Sequence, residues 1–298
     1  MPTADQKSGA CKATFLLLVL TAERKNMNSF MSWVGGKKNL RDEVLARFPP
    51  YYERYIEVFG GAGWVLFHKP PGMDFEVYND FNSNLANLYR CVRDKPAKLK
   101  YKLRYVLDSR EDFEYLAILH KRGILPRLYD VDRAAKFYQL IRYSYASGLD
   151  SFGSQPHSMW SDFPMIDLAA RRLQKVVIEN KDFEKLIKQY DRPVSFFYCD
   201  PPYFATENYY KDVGFTAKDH IRLRDTLLEI KGKFLVSYND CPEIREIWDK
   251  PNIHIEEISR LNNLAQRYDA GCQYGELLIS NYDTSERAKA IKQLSLFD

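Results

Sequence analysis

Residues 55–67 read Tyr-Ile-Glu-Val-Phe-Gly-Gly-Ala-Gly-Trp-Val-Leu-Phe, and this stretch decides what kind of fold the chain can adopt. Tyr55–Phe59 is a short apolar run rich in β-branched and aromatic residues, the composition of a buried strand. It breaks at Gly60-Gly61-Ala62-Gly63, and the residues that follow suit a helix. Glycines directly after a strand allow a tight turn and let the backbone approach a ligand with no Cβ in the way. A second strand candidate, Phe75–Tyr78, ends at Asn79-Asp80, with Asp80 17 residues beyond Gly63. A carboxylate there can accept hydrogen bonds from both hydroxyls of a ribose. An ordinary βα turn satisfies the same pattern, so these residues alone leave nucleotide-type binding open.

Beyond about residue 82 the texture becomes helical. Leu85, Leu88, Tyr89 and Val92 make one apolar face, and Ala134, Phe137, Tyr138 and Ile141 another. Ser109 followed by Asp112 caps the helix that carries Phe113, Leu116 and Leu119. Basic residues are frequent here (Lys95, Lys98, Lys100, Lys102, Arg104); such a face is a candidate DNA-facing surface, or simply a solvated one. Strand signals return at Val176-Val177-Ile178, Val194–Cys199, Lys233–Tyr238, Ile253–Ile258 and Glu276–Ser280, with a helix-compatible stretch at 217–230. Strands alternating with helices predict an α/β domain with a largely parallel sheet. The expected organisation is a catalytic domain over 28–85 and 176–298, with a helical insert over 86–175.

The second informative string is Phe196–Phe204, in which an apolar strand ends in Asp200-Pro201-Pro202-Tyr203. Ligands of open α/β sheets sit outside the carboxyl ends of strands, so this tetrapeptide should face a site. The prolines supply carbonyls without competing N–H donors. Asp200 and the Pro201 carbonyl can each accept one hydrogen of an amino group, and Tyr203 offers a flat face to a ring. Two acceptors beside a stacking surface suit a planar, weakly nucleophilic amine. They would concentrate its lone pair and stabilise positive charge developing on nitrogen. A loop that merely ends a strand is the plainer reading. His220, at a helix start after Phe215-Thr216, is read as structural, since this chemistry needs no general base.

Taken in order, these features resemble the Dam-type DNA adenine methyltransferases, the α-ordered D12 class, over residues 30–282. The resemblance implies a Rossmann-like S-adenosylmethionine-dependent methyltransferase sheet with an inserted helical target-recognition domain at 86–175. It implies transfer of a methyl group from S-adenosylmethionine to N6 of a flipped-out adenine in double-stranded DNA, releasing S-adenosylhomocysteine. Ser32–Lys37 is similar to the family's N-terminal cofactor segment, so Trp33 and Lys37 would contact the cofactor. Glu57-x-Phe59-x-Gly61-x-Gly63 resembles its methionine-side loop, and Asp80 its ribose-binding acid. Asp182-Phe183 is similar to a segment near the cofactor adenine. Asp200-Pro201-Pro202-Tyr203 is identical to the catalytic signature, with Asp200 also bordering the cofactor and Tyr203 stacking the flipped base. Ser237–Asp240 and Glu276–Tyr282 resemble further family blocks. One departure stands out. Members that read GATC carry an Asn-Arg-rich hairpin where this chain has Ile141–Gly153, only loosely similar. Arg142 is the candidate DNA contact there, and the recognised sequence stays open.

Composition is compatible with all of this and demands none of it. The 298 residues are 45% hydrophobic with a formal charge of +4, and the 21 Tyr and 18 Phe suit packing as well as base stacking. Five widely spaced cysteines with no Cys-x-x-Cys pair fit neither a disulfide framework nor a zinc site. The expectation is a cytoplasmic enzyme without metal, a monomer or weak dimer. Chromosome regulation, phage DNA modification and restriction-modification with a cognate nuclease are all compatible. Competing readings are an RNA or protein amino-group methyltransferase, which usually favours Asn at position 200, and a non-catalytic DNA-binding protein, against which every site position is intact. Phe15–Leu20 imitates a signal peptide but is too short to span a bilayer. Residues 1–27 are read as a dispensable extension. Deleting 1–26 should leave a folded, active enzyme, as circular dichroism and a methylation assay would report; loss of both would refute it.

Overall fold

A computed structural model of the chain describes residues 27–153, 155–204, 214–261 and 273–287. The extension at 1–26 lies outside them. All seven strands read from the sequence are present, within a few residues of their expected ends. They are β1 Arg54–Glu57, β2 Phe75–Asn79, β3 Val176–Glu179, β4 Ser195–Cys199, β5 Lys233–Asn239, β6 His254–Leu261 and β7 Gln273–Ser280. They form one sheet in the order β3-β2-β1-β4-β5-β7-β6. Only β7 runs antiparallel to its neighbours.

The strands are short and apolar because both faces of the sheet are covered. Alternate residues feed two cores. Tyr55, Phe196, Tyr198 and Leu235 point into one cluster. Ile56, Phe197, Cys199, Phe234 and Val236 point into the other. The second face is covered by α8 (Phe183–Tyr190), α9 (Ala217–Leu228) and α10 (Pro242–Trp248), through Leu186, Leu223 and Trp248 among others. The first receives α1 (Arg41–Ala46), α2 (Trp64–His68) and the helices between β2 and β3: α3 (Ser83–Asp94), α4 (Pro96–Leu103), α5 (Arg110–Lys121), α6 (Asp130–Tyr143) and α7 (Phe163–Leu173). Leu88, Phe137, Ile141 and Ile166 share one cluster with Tyr55 and Phe196. The helical segment therefore has no core of its own separate from the sheet.

Local signals start these helices. Asn82 accepts from the amides of Asn84 and Leu85 at the head of α3. Ser109 accepts from Asp112 N at 3.3 Å at the head of α5, and Thr216 and Asp219 form a reciprocal capping box on α9. Three lysines of the basic stretch carry acidic partners: Lys95 with Asp130, Lys100 with Asp167 at 2.6 Å, and Lys102 with Asp132 at 2.8 Å. Much of its positive charge is thus neutralised within the helical layer. Among the described residues no helix is long and apolar enough to cross a membrane.

A buried ion network ties the start of β2 to this layer. Lys69 Nζ lies 2.8 Å from Asp74 and 2.9 Å from Glu76, and Arg172 on α7 makes two 2.6 Å bonds to Glu76. All four side chains are 7% exposed or less. Two cations balance two anions, so removing one strands a buried charge. Lys69→Met should lower unfolding free energy by about 3–5 kcal/mol in urea titrations. The deficit should shrink at acidic pH as Glu76, whose pKa is held low against burial by Lys69 and Arg172, becomes protonated.

Candidate active site

β3, β2, β1 and β4 are adjacent and parallel, so their carboxyl ends open on one edge of the sheet. Glu57 pairs in register with Tyr78 on one side and Tyr198 on the other. The residues just past the strands, Asp80, Asp182 and Asp200, consequently gather with Glu57 around one cavity of about 310 Å³. That volume is at the lower end of small-molecule sites.

The floor is the glycine turn. Gly60 N donates to Asn79 O at 2.8 Å, and Gly63 N to Gly60 O at 2.7 Å. A Cβ on Gly60 would lie 2.2 Å from the Tyr78 ring, and Gly61 has φ of +49°. These two positions require glycine for different reasons, contact and backbone conformation. Gly61 N donates to Asp80 Oδ2 at 2.9 Å, and Asn82 N to Asp80 Oδ1 at 2.7 Å. Burial pushes the Asp80 carboxyl up to about 6, against the pull of those two amides. Asn79 joins the strand ends, donating to Val58 O at 2.9 Å and accepting from Lys181 N at 2.9 Å. Gly63, with φ of +63°, is the N-cap of α2 and does not itself line the cavity, although Ala62, Trp64 and Val65 beside it do.

Asp200 stands at the opposite wall. Its Oδ1 accepts from Lys37 Nζ at 2.5 Å and from Ser237 Oγ at 3.0 Å, leaving Oδ2 without a partner among the described residues. Burial raises the Asp200 pKa, while Lys37 and Ser237 pull it back. Lys37 also lies 4.4 Å from the centre of the Tyr203 ring. The Tyr203 hydroxyl donates a short hydrogen bond to buried Glu276 of β7. Pro202 lines the cavity; Pro201 and Tyr203 lie just outside it. Glu57, bonded to Tyr55 Oη at 2.7 Å, is pushed up to about 8 by burial and is protonated at neutral pH.

The third wall is aromatic. Phe59, Phe183 and Phe215 meet with ring centres 5.7 to 6.0 Å apart. Asp182 caps α8 through Glu184 N at 3.1 Å and is held by Arg222 of α9. Trp33 closes the site over Gly61.

The structure therefore brings Trp33, Lys37, Phe59, Gly61, Asp80, Asp182, Phe183, Asp200 and Pro202 onto one cavity. Gly63, Pro201 and Tyr203 are not part of its lining, and Arg142 lies apart from it in the helical layer. The guanidinium makes a bidentate pair with Asp162 at 2.9 and 3.0 Å and contacts His157. That pair uses Nε and Nη2 and holds the turn before α7, while Nη1 is engaged by neither partner. His220 is buried with Nδ1 2.8 Å from Tyr238 Oη, a packing position. Sequence reasoning placed Ser237 and Glu276 in family blocks without giving them a role and missed Arg222; the roles of all three depend on which way a strand or helix faces. It also missed Ser147 and Leu149, left-handed residues that extend the cavity wall from the helical layer. Among the described residues no group of His, Cys, Asp or Glu could hold a metal ion.

A mixed seven-stranded sheet of this order with a cavity at its switch point is an α/β methyltransferase type of fold. Residues 33–263 match the family of D12 class N6 adenine-specific DNA methyltransferases. The chain is 29% identical over 286 residues to the Type II methyltransferase M1.LlaDCHI of Lactococcus lactis subsp. cremoris, covering 89% of this chain and 99% of the relative. It is 26% identical over 255 residues to the DNA adenine methylase of Escherichia coli K12, covering 79% and 89%. The corresponding enzyme of Haemophilus influenzae is 27% identical over 243 residues, covering 74% and 82%. The chain belongs to the D12 class N6 adenine-specific DNA methyltransferase family, and it is an adenine-specific DNA methyltransferase.

Proposed function

We propose that the cavity holds S-adenosylmethionine and that Asp200-Pro201-Pro202-Tyr203 receives an adenine flipped out of double-stranded DNA. The lining fits the cofactor on its own chemistry. The glycine turn leaves room that a Cβ would fill, and Asp80 is a carboxylate prepared for two ribose hydroxyls. The Phe59, Phe183 and Phe215 wall suits a planar base. When bound, S-adenosylmethionine supplies an electrophilic methyl group. The protein's own residues then activate and orient the acceptor. Asp200 Oδ2 and the Pro201 carbonyl accept the two amino hydrogens, turning the nitrogen lone pair toward the cavity. Lys37 and Ser237 fix the Asp200 carboxylate, so little reorganisation accompanies reaction. Burial makes that carboxylate a better proton acceptor than a solvated one. The bond to Glu276 holds the Tyr203 ring as a stacking face. The observation that carries this reading is the Lys37–Asp200 pair, which links the cofactor segment to the catalytic signature at one cavity edge.

The helical layer at 86–175 is the proposed target-recognition region. Support comes from the Tyr143–Gly153 turn, closed by a Gly153 N to Tyr143 O bond of 2.7 Å, which reaches the cavity through Ser147 and Leu149. Arg142, at the head of that turn, stays the proposed DNA contact through its Nη1.

Asp200→Ala should lower methyl transfer by at least about 100-fold, while S-adenosylhomocysteine binding, read by calorimetry, largely survives. Unchanged activity would refute the mechanism. A second expectation follows from Asp80. Its raised pKa means that the accepting carboxylate is present above about 6 and lost below it. S-adenosylhomocysteine affinity should therefore weaken as pH falls below about 6, and Asp80→Asn should remove that dependence.

A further inference from the structure

Arg222 is a charged residue on the cavity wall that the mechanism above does not use. Its Nη1 and Nη2 bond Asp182 Oδ1 and Oδ2 at 3.0 and 2.9 Å. The same guanidinium takes Asp219 at 2.9 Å and Glu184 at 3.1 Å, and its Cζ lies 4.0 Å from the centre of the Phe183 ring. One planar cation thus gathers three carboxylates and covers one face of a cavity aromatic, a geometry suited to arginine and poorly matched by lysine.

The bonding of Asp182 gives this arrangement a chemical consequence. Each carboxylate oxygen offers about two acceptor positions. Oδ1 already accepts from Glu184 N and Arg222 Nη1, while among the described residues Oδ2 accepts only from Arg222 Nη2. Oδ2 keeps one acceptor position. With both oxygens already bonded by guanidinium N–H groups, the position left on Oδ2 is an acceptor, so it favours an amino group and repels a carbonyl oxygen.

We propose that Arg222 is a positioning residue that fixes the Asp182 carboxylate and the Phe183 ring as the base-selecting wall of the cofactor cavity. The group selected is an exocyclic amine on a planar purine, as in adenine, against the carbonyl of hypoxanthine. This inference rests on the reading that the cavity binds S-adenosylmethionine. Without Arg222, Asp182, Asp219 and Glu184 would repel one another. Asp182 would then turn away from its present direction, releasing both selectivity and ring.

The test compares S-adenosyl-L-homocysteine with S-inosyl-L-homocysteine by titration calorimetry on the full chain. The wild-type protein should prefer the adenosyl compound by about tenfold or more, the scale of a hydrogen bond to a charged acceptor. Arg222→Ala should weaken adenosyl binding about tenfold more than inosyl binding, and so abolish the preference. Its kcat at saturating S-adenosylmethionine should stay near the wild-type value, with the loss confined to KM. Arg222→Lys should recover part of the preference. Because Arg222 is 39% exposed, thermal melting should show both variants folded. Equal weakening of both ligands, or no change in either, would overturn the proposal. Asp80→Asn separates the two levels of inference. If it leaves S-adenosylhomocysteine affinity intact, the cofactor reading itself fails. If it weakens binding while Arg222→Ala keeps the preference, only the role of Arg222 fails.

Discussion

The parallel pairing of β1 with β4 is the constraint on which the rest of the molecule depends. It sets Glu57 opposite Tyr198, and so joins the glycine turn to Asp200-Pro201-Pro202-Tyr203, more than a hundred residues further along the chain. Every distance in the site follows from that register. A slip of one residue would reverse the faces of β4, exchanging Phe196 and Tyr198 with Phe197 and Cys199 between two differently packed cores. Close packing on both faces therefore protects the geometry at the strand ends.

That geometry concentrates acidity. Glu57, Asp80, Asp182, Asp200 and Glu276 all lie at or beside the carboxyl edge of the sheet, and they are kept apart by different means. Glu57 is neutralised by burial, and Asp80 is held by backbone amides. Asp182 has Arg222, whereas Asp200 has Lys37. The environments divide the labour among groups of nearly identical chemistry. In the proposed reading, one acid faces a ribose, one a cofactor base and one the reacting amine. A protonated Glu57 beneath them adds no further negative charge.

Much of the fold was legible in the sequence. All seven strands announce themselves as short apolar runs, because a sheet covered on both faces cannot tolerate polar residues at every second position. Glycines at 60, 61 and 63 mark a turn with a demanding backbone, and Asp80 and Asp200 stand where strands stop. Less visible was the helical layer's relation to the sheet. Its amphipathic faces were readable, but not that they merge with the sheet's own core. Its lysines read as a charged surface, yet their aspartate partners at 130, 132 and 167 lie two or three helices further along the chain, beyond the reach of local patterns.

By itself, the sequence determined the type of each element, the chemical character of the cavity and, through the ordered resemblance, the family. Those properties reside in residue type and short spacing. The tertiary structure alone decided the strand order, the engagement of Arg142 with Asp162, and the partners of Asp200 and Asp182. Ser237, Glu276 and Arg222 are ordinary residues in their own neighbourhoods. They acquire a role only because β5, β7 and α9 are packed so that particular faces meet the strand ends. Side-chain partnership across the sheet is a property of register and packing, and it is written in no local stretch of the chain.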